Sequence, residues 1–225
     1  MHCKQASIKS GYPGELNLWT SLIFKRRLMP LRIKVHTMFK QVFPLFFSTL
    51  NRHALDWGRN GLIAYASHAV IVVIDPKTLQ PIQTLDKDHN FSVTHLKWSK
   101  SWTKKHVVPE MMLASADASG RILIWNVKSG EIKASFQEGS KAILQMEWLG
   151  ESIEDTGHLL LVLHSPNQLV LWDTANGKQV WKKVYYNEVI KCFDLDPFDV
   201  SRIAFKTSDC ILFINDFHPS KCPNR

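Results

Sequence analysis

Short apolar runs recur along the chain from about residue 69 onward, and each ends in a large side chain followed by Asp or Asn. They are rich in Val, Ile and Leu, which suit buried strands. We align four of them, at Ala69–Asp75, Gly120–Asn126, Asn167–Asp173 and Cys210–Asp216. With Ile74, Trp125, Trp172 and Asn215 taken as equivalent, the spacings are 51, 47 and 43 residues. A period of ~40–45 residues, lengthened by loop insertions, is typical of WD blades.

Each run predicts the third strand of a four-stranded blade, because a strand with neighbours on all sides is continuously apolar. Ser129-Gly130 and Asn176-Gly177 suit the tight turns that follow two of these strands. The first strands are predicted at Ala54–Trp57, Val93–Trp98, Ile143–Trp148 and Ile190–Leu195, the second at Leu62–Ser67, Met111–Ala116, Leu159–Ser165 and Ile203–Thr207, and the fourth at Leu79–Leu85, Glu131–Phe136 and Lys178–Val184.

The predicted fold is therefore all-β, with residues 49–225 forming an incomplete WD-repeat β-propeller of about three and three-quarters four-stranded blades. The fourth unit has no predicted fourth strand. Closed propellers contain at least ~4 blades and usually more. We therefore expect that this chain cannot close a ring alone, and that its open sheet edges favour pairing with another chain.

The charge of the chain is concentrated at one end. The formal net charge is +8, but residues 1–48 carry eight basic residues and one acid, which leaves +1 for residues 49–225. A nearly neutral main body argues against nucleic-acid binding by the whole protein. The 45% hydrophobic content is that of a folded chain. We divide the chain into a basic, irregular segment, residues 1–48, and the propeller, residues 49–225.

The stretch from residue 24 to residue 47 combines basic and apolar residues, and several interpretations of it stay open. It could contact anionic membrane surfaces. It could be an organelle-targeting sequence, although Pro30 and Pro44 would interrupt a long helix. It could also be untranslated or mis-joined sequence ahead of a later start at Met29 or Met38, or a tail. No stretch approaches the ~18 apolar residues of a membrane-spanning helix.

The propeller segment resembles the N-terminal propeller of the WD repeat-containing protein 11 family. The resemblance covers roughly residues 49–225 and rests on several motifs in one order. These are Ala54–Gly58, Gly61–Tyr65, Val72–Asp75, Leu113–Asp117, Leu171–Trp172, Trp181–Lys183, Asp196–Asp199 and Asp216–Lys221. Residues 1–48 do not resemble the short N-terminus of that family, and the chain ends before the first propeller could close. A truncated isoform, a partial gene model or a degenerate copy, without autonomous function, therefore stays open as an alternative.

What the resemblance implies is a non-enzymatic scaffold with two propellers, of which this chain matches the opening part. It implies a subunit of a complex that captures endosome-derived vesicles at the trans-Golgi network, with links to ciliary assembly and Hedgehog signalling. The expected locations are the cytoplasm, the trans-Golgi network, cytoplasmic vesicles, the ciliary basal body and the nucleus. The expected partners are vesicle-tethering subunits, and no catalytic residue or cofactor comes with the family.

Polar residues near the predicted core indicate a structural network. His89, Ser115, Asp117 and Trp125 could form hydrogen bonds that hold a WD blade together, or they could be surface residues near a core Trp. Trp172 and Asp173 are the corresponding dipeptide of the third unit, which lacks a matching acid on its second strand.

Two insertions interrupt the blades, at residues 99–109 and 150–157. Trp102 is the most anchor-like residue of the first insertion, and with Lys104 and Lys105 it is our candidate for a partner contact. None of the common hydrolase, nucleotide-binding or zinc-protease motifs occurs in the sequence. No Cys-x-x-Cys pair occurs either, so we expect no catalytic site, no metal and no cofactor.

Overall fold

The computed structural model describes residues 51, 53–86, 88–100, 111–149, 158–199 and 201–223. All of them belong to one compact unit, Phe46–Arg225. They form four antiparallel sheets in which consecutive strands are neighbours. Because each chain reversal joins adjacent strands, every sheet is a simple meander that the short turns of the sequence can supply.

Each sheet corresponds to one predicted blade. The first has β1 (Leu55–Trp57), β2 (Ile63–Ser67), β3 (Val70–Asp75) and β4 (Gln80–Leu85). The second has β5 (Val93–Trp98), β6 (Met112–Asp117), β7 (Arg121–Asn126) and β8 (Glu131–Gln137). The third has β9 (Ile143–Trp148), β10 (Leu159–His164), β11 (Gln168–Asp173) and β12 (Lys178–Val184). The fourth has β13 (Ile190–Leu195), β14 (Ile203–Thr207) and β15 (Ile211–Ile214).

This architecture confirms the predicted all-β, partial β-propeller. The first strands of blades two, three and four begin and end at the predicted residues. In the part of the chain that the structure describes, the fourth sheet has three strands and the four blades do not close into a ring. Periodicity located the strands well because the third strand of each blade is a continuous apolar run bounded by turn residues, which sets the phase of the others.

Strand register corrects one predicted equivalence. Trp125 lies opposite Leu113 and Trp172 lies opposite Leu160. In blade four, the residue opposite Ile203 is Ile214, not Asn215. The match to the Trp-Asp dipeptide is therefore Ile214-Asn215, and the predicted alignment was one residue too late. The dipeptide Asn215-Asp216 is closer in sequence to Trp-Asp because it ends in Asp, but hydrogen-bonded pairing of the strands decides which residue enters the core.

The blades stack face to face through three apolar clusters. Leu96 and Trp98 of blade two pack with Ile71 and Val73 of blade one. Blades two and three share a cluster that contains Trp148 and Phe136, and blades three and four share one that contains Trp181, Phe193 and Phe205. Each middle blade therefore uses both faces of its third strand, which explains why those strands are unbroken apolar runs.

Blade four presents two apolar residues of its third strand to solvent. Ile211 is 61% exposed and Phe213 is 72% exposed. The residues at the same register in blade three, Leu169 and Leu171, are fully buried against blade four. Exposure of Ile211 and Phe213 therefore follows from the absence of a described blade on that side, and not from their position in the strand.

Candidate functional site

Four buried polar side chains are joined within blade two. His89 Nδ1 lies 2.9 Å from Asp117 Oδ2, and His89 Nε2 lies 2.7 Å from Ser115 Oγ. The indole N–H of Trp125 donates to the same Ser115 oxygen at 2.8 Å. The structure thus brings together the four residues that the sequence grouped. They connect β6 and β7 to the loop that precedes β5.

Asp117, His89 and Ser115 are hydrogen-bonded in the same order as the acid, base and nucleophile of a hydrolase triad. Because the Asp117 carboxylate can only accept, Nδ1 of His89 donates to it. The Ser115 side chain is fully buried, however, and its oxygen already accepts a hydrogen bond from Trp125. A nucleophile must reach its substrate. Because the Ser115 oxygen cannot reach a substrate, this arrangement serves to hold the blade together.

Asp117 links this network to the turn between β6 and β7. Its Oδ1 accepts hydrogen bonds from the Ser119 backbone N–H at 2.9 Å and from the Ser119 hydroxyl at 2.6 Å. Burial alone would raise the pKa of Asp117, but the hydrogen bonds from His89 and Ser119 outweigh it and hold the pKa below its ordinary value. Asp117 is therefore a carboxylate with both oxygens bonded, which fixes the turn and the network together.

Blade three does not repeat this arrangement. Val162 stands where blade two has Ser115, and the fully buried His164 stands where it has Asp117. The indole nitrogen of Trp172 is buried without a hydrogen-bond partner among the described residues. The prediction that Trp172 takes part in a hydrogen-bonded blade network is therefore wrong. Blade three holds Trp172 by packing alone, against Phe136 at a ring distance of 4.8 Å.

Asp173 also has a different role from the one expected. Its Oδ1 accepts hydrogen bonds from the backbone N–H groups of Ala175 and Asn176 at 3.0 and 3.1 Å. Asn126 accepts hydrogen bonds from the backbone in the same way in blade two. In blades two and three, the polar residue of the Trp-Asp-like dipeptide therefore fixes the turn between the third and fourth strands.

The candidate partner contacts at Trp102, Lys104 and Lys105 lie outside the described residues. So does the basic segment at residues 1–48, including the stretch from 24 to 47. Their predicted roles stay predictions.

Innermost strands of neighbouring blades are joined by side chains. His95 Nε2 donates to the carbonyl oxygen of Leu144 at 3.0 Å. Gln145 occupies in blade three the register position that His95 has in blade two. Its side-chain amide donates to the Phe193 carbonyl at 2.7 Å and accepts from the Phe193 N–H at 3.0 Å. Burial lowers the pKa of His95 to about 4. These bonds fix each blade against the next at the inner edge.

An open cleft lies where the four innermost strands end. It is about 450 Å³ in volume and is lined by Arg59, Lys100, Glu147, Leu149, Asp194, Leu195, Asp196 and Pro197. A smaller cavity of about 150 Å³ adjoins it, shares Arg59, Lys100 and Glu147, and adds Asp56, Trp57 and Lys97 to the wall. We call the two together the inner-strand cleft. All four described blades contribute residues to it.

Charged residues occupy one register position in all four blades at this cleft. Asp56, Lys97, Glu147 and Asp194 each precede the last residue of their inner strand. Lys97 Nζ lies 2.6 Å from Glu147 Oε1, and Lys100 Nζ lies 3.5 Å from Glu147 Oε2. Burial works to lower the pKa of Lys97, but its bond to Glu147 and the nearby carboxylates outweigh this and raise it. The charged side chains in the middle of the cleft therefore form ion pairs with each other.

Sequence reasoning missed this cleft. The available indication was a charged residue immediately before the last residue of each predicted first strand. Only the stacking of blades brings those four positions to one place, because they are about forty residues or more apart in the chain.

Comparison with known proteins fits this geometry. The family model described as WDR11 first beta-propeller matches residues 47–212. The chain belongs to that family. It is 40% identical over 176 residues to WD repeat-containing protein 11 of Homo sapiens, and 43% identical over 176 residues to the protein of that name in Danio rerio. Each match covers 77% of this chain and 14% of the relative, so the chain spans about one-seventh of those proteins.

Membership of this family confirms the resemblance drawn from the sequence and supports a propeller that serves protein interaction. Among the described residues, no group of three or more His, Cys, Asp or Glu is placed to hold a metal ion. Within the same residues, no helix is long and apolar enough to cross a membrane.

Proposed function

We propose that this chain is a non-enzymatic scaffold whose blades hold other proteins. The observation that carries the proposal is the closed state of the Asp117, His89 and Ser115 arrangement. Because these buried polar groups are hydrogen-bonded to one another, they make the blade rigid and are not available to react with a substrate. Rigid blades with variable loops at their ends are suited to partner docking.

The finer proposal is that the chain acts in capture of endosome-derived vesicles at the trans-Golgi network, with vesicle-tethering subunits as partners. The sequence resemblance supports it, and the same resemblance extends the proposal to roles in ciliary assembly and Hedgehog signalling. On this proposal the chain is cytoplasmic and is recruited to the trans-Golgi network, to vesicles and to the ciliary basal body, and it is also present in the nucleus.

A relocation experiment tests this function. The full chain is fused to a mitochondrial outer-membrane anchor, and markers of endosome-derived vesicles are imaged around mitochondria. Accumulation of those vesicles at mitochondria is the expected result. If no vesicle marker moves although the fusion is folded and correctly placed, vesicle capture by this chain is refuted.

Trp102 offers a sharper test of the partner contact. Trp102→Ala, and separately the double variant Lys104→Ala/Lys105→Ala, should weaken recovery of cross-linked partner proteins without changing the unfolding transition. Lys128→Ala, at an exposed turn of blade two, is the control for a surface change elsewhere. Unchanged recovery with a folded Trp102→Ala chain would remove this contact from the proposal.

A second candidate is peripheral membrane binding through the basic stretch from residue 24 to residue 47. Its support is the charge of +7 within residues 1–48, since clusters of basic residues bind anionic lipid surfaces. Flotation of the full chain and of a chain without residues 1–48, using vesicles with 30% phosphatidylserine as probe, tests it. Equal binding by the two chains would rule this candidate out.

A further inference from the structure

The inner-strand cleft has two exposed charges that its own ion pairs do not use, while a third charge outside those pairs, Asp56, is part-buried and accepts the Trp98 backbone N–H at 2.7 Å. Arg59 forms no ion pair with any residue that the structure describes, and its side chain is exposed. Asp194 is also exposed and forms no ion pair within the described residues, although its Oδ1 accepts the Leu195 backbone N–H at 2.9 Å. Both residues line the same 450 Å³ concavity. One guanidinium and one carboxylate are therefore open to a ligand of the opposite charges.

The other charges of the cleft are already engaged. Glu147 is shared by Lys97 and Lys100. Asp196 lies 3.8 Å from the Arg202 guanidinium, and its Oδ1 accepts the Phe198 backbone N–H at 2.8 Å. A ligand would have to break these contacts to use them, whereas Arg59 and Asp194 can bind without such a cost.

Aromatic side chains extend the surface beyond the cleft. Trp57 lines its smaller part and is 63% exposed. Phe198 follows the lining residue Pro197 in the loop between β13 and β14 and is 97% exposed. Exposed aromatic residues beside an Arg are the composition that carries most of the binding energy in protein interfaces.

We propose that the inner-strand cleft binds an extended peptide segment of a partner protein, with an acidic side chain at Arg59, a basic side chain at Asp194 and an apolar side chain against the aromatic rim. Alternating charge in the wall argues against a nucleic acid, because Asp56, Asp194 and Asp196 would repel its phosphates. An anionic membrane surface is disfavoured for the same reason. This inference rests on the proposed scaffold function and adds the site and the chemistry of the bound segment.

A displayed library of random seven-residue peptides, selected on the full folded chain, tests the proposal. We expect enriched peptides that contain one acidic and one basic residue together with Leu, Ile or an aromatic residue. Enrichment of uniformly acidic or uniformly basic peptides, or no enrichment over a chain-free control, would overturn the assignment.

Charge exchange supplies the matched variants. Arg59→Glu and Asp194→Lys should each weaken an enriched, fluorescein-labelled peptide by roughly tenfold in fluorescence anisotropy. The double variant Arg59→Glu/Asp194→Lys should recover binding to a peptide in which the acidic and basic residues are exchanged. Lys128→Glu is the control for an exposed charge change outside the cleft. If the double variant shows no preference for the exchanged peptide, the pairing is wrong.

The same variants separate this inference from the function on which it rests. If the double variant loses the enriched peptide but still recruits vesicles in the relocation experiment, the cleft binds peptides and vesicle capture does not use it. If selection on the wild-type chain enriches no peptide while that chain still recruits vesicles, the cleft assignment fails and the scaffold function stands. If the wild-type chain recruits nothing but binds the peptides, the cleft assignment stands and the vesicle function fails.

Discussion

Removal of the Ser115 hydroxyl should destabilise the protein more than its small size suggests. Ser115 is fully buried, and its oxygen lies 2.7 Å from His89 Nε2 and 2.8 Å from Trp125 Nε1. Ser115→Ala removes a single oxygen atom but leaves two buried polar groups without a partner. An unsatisfied buried polar group costs about 1–3 kcal/mol, so the expected loss of unfolding free energy for the two groups is about 2–6 kcal/mol.

Urea unfolding of the full chain, followed by tryptophan fluorescence and by far-ultraviolet circular dichroism, measures this loss. With a slope of about 2 kcal/mol per molar urea, the midpoint should fall by about 1 M or more. That is a large fraction of the stability of a typical domain, about 5–15 kcal/mol.

The unequal second and third blades provide the control. Trp125→Phe removes an N–H that donates to Ser115, whereas Trp172→Phe removes an N–H with no partner among the described residues. The two substitutions cut the same atoms from a core Trp, so their difference isolates the hydrogen bond. We expect Trp125→Phe to cost about 1 kcal/mol more. Equal costs, or a Ser115→Ala midpoint equal to that of the wild type, would refute a stabilising network.

Two further predictions follow from the contacts between blades. Because burial lowers the pKa of His95 to about 4 from an unfolded value near 6.5, the unfolded chain takes up the proton first as pH falls. The contribution of His95 to the free energy of unfolding is complete above about pH 6.5 and falls by about 3 kcal/mol as the pH drops to 4. The variant His95→Gln, which has the residue type of Gln145, should therefore flatten that part of a plot of urea midpoint against pH. An unchanged slope in this variant would refute the role of His95. Gly120→Ala should lower the midpoint more than Gly177→Ala, because both have positive φ but only at Gly120 would a Cβ meet the Lys141 carbonyl, and equal losses would show that φ strain alone acts.

Local pattern was enough to predict the strands of this fold. Val93–Trp98 and Ile143–Trp148 were placed at their observed bounds because apolar runs, turn glycines and a period of blade length agree with one another. The four residues around Ser115 could be grouped because their types form one hydrogen-bonding set. Neighbours in sequence carry the information for the strands, whereas His89 could be grouped only by its residue type, because it lies 26 residues before Ser115.

Register and stacking were beyond reach of the sequence. Letter similarity placed Asn215 at the core position, and only hydrogen-bonded pairing with β14 assigns it to Ile214. Asp173 was expected in a network, but its carboxylate binds the turn that directly follows it. A short side chain can satisfy either a local or a distant donor, and the geometry of the backbone decides between them.

The sequence by itself determined that this chain forms WD blades, that its positive charge lies outside them and that it belongs with one family of propellers. Tertiary structure alone decided that the Ser115 arrangement is closed to substrate, and that Arg59 and Asp194 line a single cleft. The physical reason is distance along the chain: strand formation depends on a few adjacent residues, whereas burial and charge pairing depend on residues from different blades that only packing brings into contact.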